Sequence, residues 1–397
     1  MTNNLQNHTE MEDKYTLKRK TQYGILSIAG FGILLLILGY FIESPNRQEL
    51  WANVLINNLY FLFIALFGGV FLALHKISYA GWYTALKRIP EALTKFLPIS
   101  AALMFLIYFG MHDLYHWSHE GLHDPILEGK AAYLNVPFFF ARMALYFLGW
   151  IGLTYLLRKN TLDQDLNPDL KYHNRGKILA ALFMVFFAIT SSTMSWDWIM
   201  SIDAHWFSTL FGWFIFIGMF VCGIATIILL IAFLKSQGYL EYINKEHIHD
   251  MGKYLFAFSI FWMYLWFSQY LLIWYSHIPE ETAYFAPRLN DHKVLFFTVL
   301  IINFLFPFLT LMTRDSKRNL KWLSFVAIIV LIGHWLNVYM LVIPGTVGET
   351  AQIGLIEIGF IALYLGGFLY VVFTSLAKTP LLVKNDPLLE ESFHYET

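Results

Sequence analysis

One cysteine, Cys222, stands in the 397 residues, and it lies inside an apolar run. That scarcity excludes a disulfide framework, a CxxCH haem attachment and a thiolate set for an iron–sulfur cluster. Charge is scarce as well: 14% of residues are charged, against about a quarter in soluble domains. Hydrophobic residues make up 57% of the chain and aromatics 18%, and they fall in long blocks, which excludes an ordinary soluble globule and predicts a polytopic membrane protein. A net charge of -1 offers nothing to nucleic acid. A mixed-charge stretch precedes the first apolar block and no small-residue cleavage site follows it, so the block reads as a retained span rather than a signal peptide.

A span needs about 20 mostly apolar residues. Ten segments qualify: Tyr23–Phe41, Val54–Leu74, Phe96–Tyr115, Ala131–Leu157, Ile178–Trp198, Phe207–Leu234, Tyr254–His277, Val294–Met312, Trp322–Val342 and Ile353–Leu376. The third is the weakest, its apolar part stopping near Gly110. With the N-terminus inside, 22 of the 27 basic residues fall on inner segments and four (Arg47, Lys130, Arg288, Lys293) on outer loops, while Arg142 is within a span. This bias predicts that both termini are cytoplasmic. Trp51, Trp196, Trp198, Trp206 and Trp274 sit near predicted outer ends, as an interfacial belt would. The organisation expected is a cytoplasmic tail over 1–21, the first span and its loop over 22–52, a group of four spans over 53–200, a second group over 201–345, the tenth span over 346–377 and a cytoplasmic tail over 378–397. Both four-span groups begin outside, so any repeat relating them is parallel.

Polar groups inside spans cost on the order of 2.5–3.5 kcal/mol and are functional candidates by default. Counted at about 1.5 Å per residue, Arg142, Gln269, His334, Asn337 and Ser191-Ser192-Thr193 reach a similar level in the outer half of the membrane, with Glu357 shallower. They are expected to form one polar layer. It reads either as a proton path or outward-opening quinol pocket, or as a structural pairing of Arg142 with Glu357.

Where the third span exits, His112, Asp113, His116 and His119 follow at helical spacing. On a helix His112, His116 and His119 share a face, which fits interfacial hydrogen bonding, proton exchange near neutral pH or, with no HExxH pattern to support it, a metal. Asp113, with His112 and His116 beside it, is the best local acceptor for a proton released by a quinol. An intrinsic haem b needs two histidines at matched depth, and His334 has no such partner among His75, His112 and His277. The outer loops carrying Trp196, Asp197, Trp198, Asp203 and His205, and then Glu280 and Glu281, hold more acid and tryptophan than a connector needs. They read as an interfacial belt or as docking loops for an extracytoplasmic partner.

The stretches TSSTMSWDWIMSIDAHWFSTLFGW (Thr190 to Trp213) and LWFSQYLLIWYSHIPEET (Leu265 to Thr282) closely resemble the NrfD-like membrane subunits of bacterial alternative complex III. The segment Gly333-His334-Trp335 and the tail Asp386-Pro387-Leu388-Leu389-Glu390-Glu391-Ser392 are similar to that family too, and the resemblance runs from the second span to the C-terminus. Of the two NrfD-like subunits in such complexes, the chain resembles the second. The resemblance implies an all-α membrane fold of two four-helix bundles flanked by the first and tenth spans, in a bacterial inner membrane. It implies a subunit of a quinol:electron acceptor oxidoreductase that scaffolds the assembly and carries protons, binds no cofactor itself, and leaves quinol binding in this subunit open. Haem c and iron–sulfur clusters then belong to the partners: a pentahaem cytochrome c, an iron–sulfur subunit, the other NrfD-like subunit of the pair, a monohaem cytochrome c and an attached cytochrome c oxidase. The rival readings are an ion-coupled secondary transporter using Arg142, Glu357 and His334, and a stand-alone haem-bearing quinol enzyme.

Overall fold

The computed structural model describes residues 14–119, 121 and 123–396, apart from the side chain of Thr350. The first thirteen residues of the N-terminal tail, and Glu120 and Leu122 beside the histidine-rich stretch, lie outside the described residues. Ten helices are long and apolar enough to cross a membrane: α1 (Arg19–Ile42), α2 (Arg47–Ile77), α3 (Arg88–Leu114), α4 (Val136–Leu166), α5 (Leu170–Trp198), α6 (Phe211–Ser236), α7 (Lys245–Ser276), α8 (Lys293–Thr310), α9 (Leu320–Gly345) and α10 (Leu355–Leu376). No strand occurs among the described residues. The chain is an all-helical, multi-pass membrane protein, as a backbone that must satisfy its own polar groups in hydrocarbon requires.

Several helices outrun their apolar segments. α3 starts at Arg88 rather than Phe96, α5 at Leu170 rather than Ile178 and α7 at Lys245 rather than Tyr254, while α4 runs on to Leu166. Hydropathy marks only the part of a helix that faces hydrocarbon. The polar turns continue because their side chains find partners: Arg158 donates to Ser375 Oγ at 2.7 Å, and Asn244 caps α7 by accepting from the amides of Glu246 and His247. α3 contains 3₁₀ turns at Thr94–Phe96 and Leu106–Gly110. Pro98 lacks the amide that would reach the carbonyl of Thr94, which accounts for the first. α8 passes through a π-turn, Ile301–Leu305, before Pro307. A proline ring clashes with the carbonyl four residues back, here that of Asn303, and widening the turn relieves the clash.

α2 and α6 form the centre: 94% and 89% of their most apolar stretches are buried within the protein, against 17% for α1. They meet where Gly223 approaches Phe67 too closely for any β-carbon, and the Phe67 and Phe220 rings stand 4.7 Å apart. α3 and α5 pack against α2, with α4 against α5 and α3; α7 and α9 pack against α6, with α8 lying against α7 and α9. α1 runs along α10, where Gly32, Gly359 and Gly366 let the two backbones touch, the usual device for helix association in lipid.

Both described chain ends lie at the same end of the molecule, called here the terminal end. Tyr15 packs edge-on to Tyr239 at 5.4 Å and against Phe373 at 5.9 Å, and in the C-terminal tail Ser392 Oγ donates to the carbonyl of Trp82 at 2.7 Å.

Candidate functional site

The expected single polar layer separates into two unlike arrangements. In the first, Arg142 does not pair with Glu357. Its Nε and Nη2 donate to the two carboxylate oxygens of Asp197, each at 2.9 Å, and its Nη1 donates to the carbonyl of Tyr133 at 2.9 Å. The guanidinium lies 3.9 Å from the Tyr133 ring centre, and Tyr146 OH donates to Asp197 at 2.8 Å. A bidentate guanidinium–carboxylate pair is a clamp rather than a proton carrier. This also corrects the reading of Asp197 and Trp198 as docking residues, since both are fully buried. The helix persists to Trp198 because Arg142 compensates the aspartate, so these residues face inward. Trp206 is likewise buried, stacked 3.8 Å from Tyr284, and with Trp198 drops out of the interfacial belt. Thr193 bonds back to the Ile189 carbonyl of its own helix, and Ser192 sits against Gly212 at the α5–α6 contact.

The second arrangement joins α2, α9 and α10. Glu357 is 1% exposed, and its oxygens accept from Asn53 Nδ2 and from the Gly354 amide, each at 2.8 Å. No lysine or arginine pairs with it among the described residues. The N-terminus of α10 supplies the compensating field. Asn53 leads to Asn57, whose Nδ2 donates to the Asn53 carbonyl and whose Oδ1 accepts from Trp335 Nε1 at 3.0 Å. One residue back on α9, His334 is 1% exposed, its Nε2 has no protein partner, and Trp262 stands edge-on at 5.5 Å.

Further buried polar atoms without protein partners stand on α7, α8 and α9: Ser259 Oγ, Trp262 Nε1 beside His334 and Gln269 Nε2 on α7, both side-chain amide atoms of Asn303 in the π-turn, and Tyr339 OH on α9. Asn303 abuts Gly333, where a β-carbon would collide with its side chain. Two cavities adjoin His334 and Gln269. One, of about 10 Å³, is lined by His334, Asn337, Gly218 and Cys222; the other, of about 30 Å³, by Gln269, Asn337, Tyr284 and Arg288; they share Phe214, Asn337 and Leu341 as walls. A buried polar atom left bare costs about 1–3 kcal/mol, and water is the partner available to such atoms where a cavity adjoins them. The walls of both cavities are mainly apolar, with His334 and Asn337 the polar groups on the smaller and Gln269, Asn337 and Arg288 on the larger.

The 30 Å³ cavity reaches a second arginine at the end opposite the termini. Arg288 is 4% exposed, stands 3.5 Å from the Tyr284 ring centre and donates to Asp203 at 3.1 Å. Burial, partly offset by Arg288, pushes the Tyr284 phenol up to about 12. Of the remaining loop residues, Trp196 and Glu281 are half-buried, and His205 and Glu280 are exposed. His205 Nε2 lies 2.5 Å from the Asp124 carboxylate, and that hydrogen bond holds the Asp124 carboxyl below its ordinary value.

The histidine stretch does not present one helical face. The helix stops at Leu114, Tyr115 is extended and His116 starts a 3₁₀ turn. His112 instead contacts Ser118 Oγ at 3.0 Å, and His119 Nε2 reaches the His112 carbonyl at 2.9 Å. Among the described residues no group of three His, Cys, Asp or Glu side chains is placed to hold a metal. Asp113 is taken by Arg47 at 2.9 Å, an exposed pair of little strength.

Asn53, Asn57, Ser259, Trp262, Asn303, Tyr339 and Arg288 were not among the residues expected from sequence. Asn53 and Asn57 stand four apart in an apolar span, and Asn303 stands four before Pro307, signals that period and proline chemistry carry. Comparison of the chain with protein-family models and with curated proteins finds no match.

Proposed function

We propose that the chain is a membrane subunit of a quinol:electron acceptor oxidoreductase of the alternative complex III type. In this reading α2–α5 and α6–α9 are two four-helix bundles flanked by α1 and α10, both termini face the cytoplasm of a bacterial cell, and the redox centres sit in partner subunits. The subunit scaffolds the assembly and moves protons along a hydrated line from Arg288 and Gln269 through Asn337 to His334, while Glu357 offers an unpaired buried carboxylate beside it. Quinol binding in this subunit is not needed for that role. The observation that carries the proton-moving part is the run of unpartnered buried polar atoms on α7, α8 and α9 with its two shared-wall cavities. The redox assignment rests on the two long motif stretches.

The test is a gentle detergent purification through a tag on this chain, with peptide identification of what stays bound and a reduced-minus-oxidised spectrum. Multihaem cytochrome c and iron–sulfur subunits, with haems reduced by quinol, are expected. A spectrally silent, monodisperse chain recovered alone would overturn the assignment and favour the transporter. With the complex in hand, Gln269→Leu and His334→Leu should lower proton movement in proteoliposomes while leaving the subunits together.

A further inference from the structure

The C-terminal tail turns back beneath the helices at the terminal end, and charge holds it there. The Asp386 carboxylate, 7% exposed, accepts from Lys87 Nζ at 2.7 Å, with Lys76 Nζ at 3.6 Å and His173 Nδ1 at 3.8 Å. Three nitrogen groups from α2, the α2–α3 connection and α5 thus converge on one carboxylate that the tail brings in. Beside it, the Lys384 amide donates to Asp165 at 2.8 Å, and Gln164 Nε2 donates to the Asn385 carbonyl at 3.1 Å. Asn385 itself has φ 56°, the left-handed region. Further on, Ser392 lies between the Trp82 carbonyl and His247 Nε2, Tyr395 OH donates to Asp250, and Asn244 Nδ2 donates to the Tyr395 carbonyl at 2.8 Å.

Leu381 anchors the start of the tail in the main core, and Tyr395 packs against that core at the other end. Between them Leu382, Val383 and Leu389 form a satellite cluster with Tyr242 and Phe393, so the segment from Lys384 to Phe393 can lift with little loss of helix packing. Beneath it, Lys76, Tyr83, Lys87, Glu91, Asn160 and Gln164 line a cavity of about 20 Å³. Two acceptors on that lining, Glu91 Oε1 and Asn160 Oδ1, have no protein partner although their residues are 1% and 4% exposed. Water is the partner that fits.

We propose that Lys384–Phe393 is a releasable strap, latched by Asp386 acting as a tethered anion, that gates water and proton access from the terminal end to the cavity at Glu91. The gate lies among α2–α5, apart from the line on α7–α9, and stands independently of the assignment above.

Cys222 is the only cysteine and is fully buried, which leaves a silent background for a reporter. Thr161 lines the same cavity, so Thr161→Cys in the full-length protein in detergent reads access to a charged maleimide. Labelling should be slow with Asp386 present and about tenfold faster in Asp386→Asn, while Asp386→Glu restores slow labelling. Equal rates with and without the Asp386→Asn substitution, both proteins monodisperse, would overturn the proposal. Hydrogen exchange of the unaltered protein needs no variant to fold: the peptide over 384–393 should exchange through openings that leave α5 and α7 protected. Protection equal to that of those helices would overturn it as well.

Discussion

Arg142 has one partner carboxylate, and a double-mutant cycle can measure that. Asp197 is fully buried and accepts three side-chain bonds, two from Arg142 and one from Tyr146 OH. Removing the carboxylate with Asp197→Leu strands a guanidinium that is 8% exposed, and breaking a buried pair this way costs about 3–5 kcal/mol. Arg142→Met leaves the opposite charge uncompensated at similar cost. The double variant, with no buried charge left, should recover most of the loss, giving a coupling of about 3 kcal/mol, roughly a hundredfold in the unfolding equilibrium. Glu357 bonds Asn53 and the Gly354 amide instead, so Arg142→Met with Glu357→Gln should add within about 0.5 kcal/mol. The assay is reversible unfolding by SDS titration in mixed micelles. Equal coupling in both cycles, or coupling only with Glu357, would refute the clamp.

Gly333→Ala places a β-carbon against the Asn303 side chain in the π-turn; overpacking of about 1–3 kcal/mol is expected in the same micelle assay. Trp335→Phe leaves the buried Asn57 Oδ1 without its donor and should cost about 1–3 kcal/mol, with little loss in Trp335→Phe made together with Asn57→Leu. Burial alone would raise the Asp386 carboxyl, but Lys87 and Lys76 outweigh it and hold the group well below the ordinary carboxylate range. A depressed carboxyl stabilises the folded state above its unfolded pKa of about 3.9 and loses that contribution as pH falls toward the folded value. The part of the tail's hydrogen-exchange protection that Asp386 supplies, read as the difference from Asp386→Asn at each pH, should therefore weaken only below about pH 4.

Ten spans were legible because apolar length and the demand for self-satisfied backbone act on each segment separately. The polar turns of α3, α4, α5 and α7 were not, since what keeps Arg158 or Gln164 helical is a partner more than 200 residues away, Ser375 or Asn385. Depth counting placed Arg142 and Gln269 at one level with Glu357 shallower in the same outer half, but depth carries no angle around the helix axis. Arg142 faces the end of its own neighbour α5, and Glu357 faces α2. The same missing angle made Asp197 and Trp198 read as loop surface. Gln269 and His334 each keep a buried side-chain nitrogen without a protein partner, and Asn303 looks like an ordinary span residue until the π-turn sets it against Gly333.

The seam between α2–α5 and α6–α9 is tied along its depth, which bears on how anything crosses this protein. At the terminal end the tail bonds both Trp82 and His247. Within the spans Trp335 donates to Asn57 and Tyr60 OH donates to the Leu331 carbonyl at 2.9 Å. At the opposite end the short segment joining α5 to α6 is anchored on one side by Lys130, which donates to the Ala204 carbonyl at 2.6 Å, and on the other through Asp203 to Arg288. Alternating access by rocking one group against the other would break these together, each orphaned buried group costing about 1–3 kcal/mol, whereas the proton transfer proposed above, along fixed helices, disturbs none. A cross-link decides between them. In a Cys222→Ala background, Ser192→Cys and Gly212→Cys place β-carbons of α5 and α6 3.0 Å apart, and a small outward shift of the two helices brings them into the roughly 3.5–4.5 Å that a disulfide takes up. On the proposed function, oxidation should leave quinol-driven proton movement in proteoliposomes of the complex intact, and its loss on oxidation with recovery on reduction would show that the two groups must move.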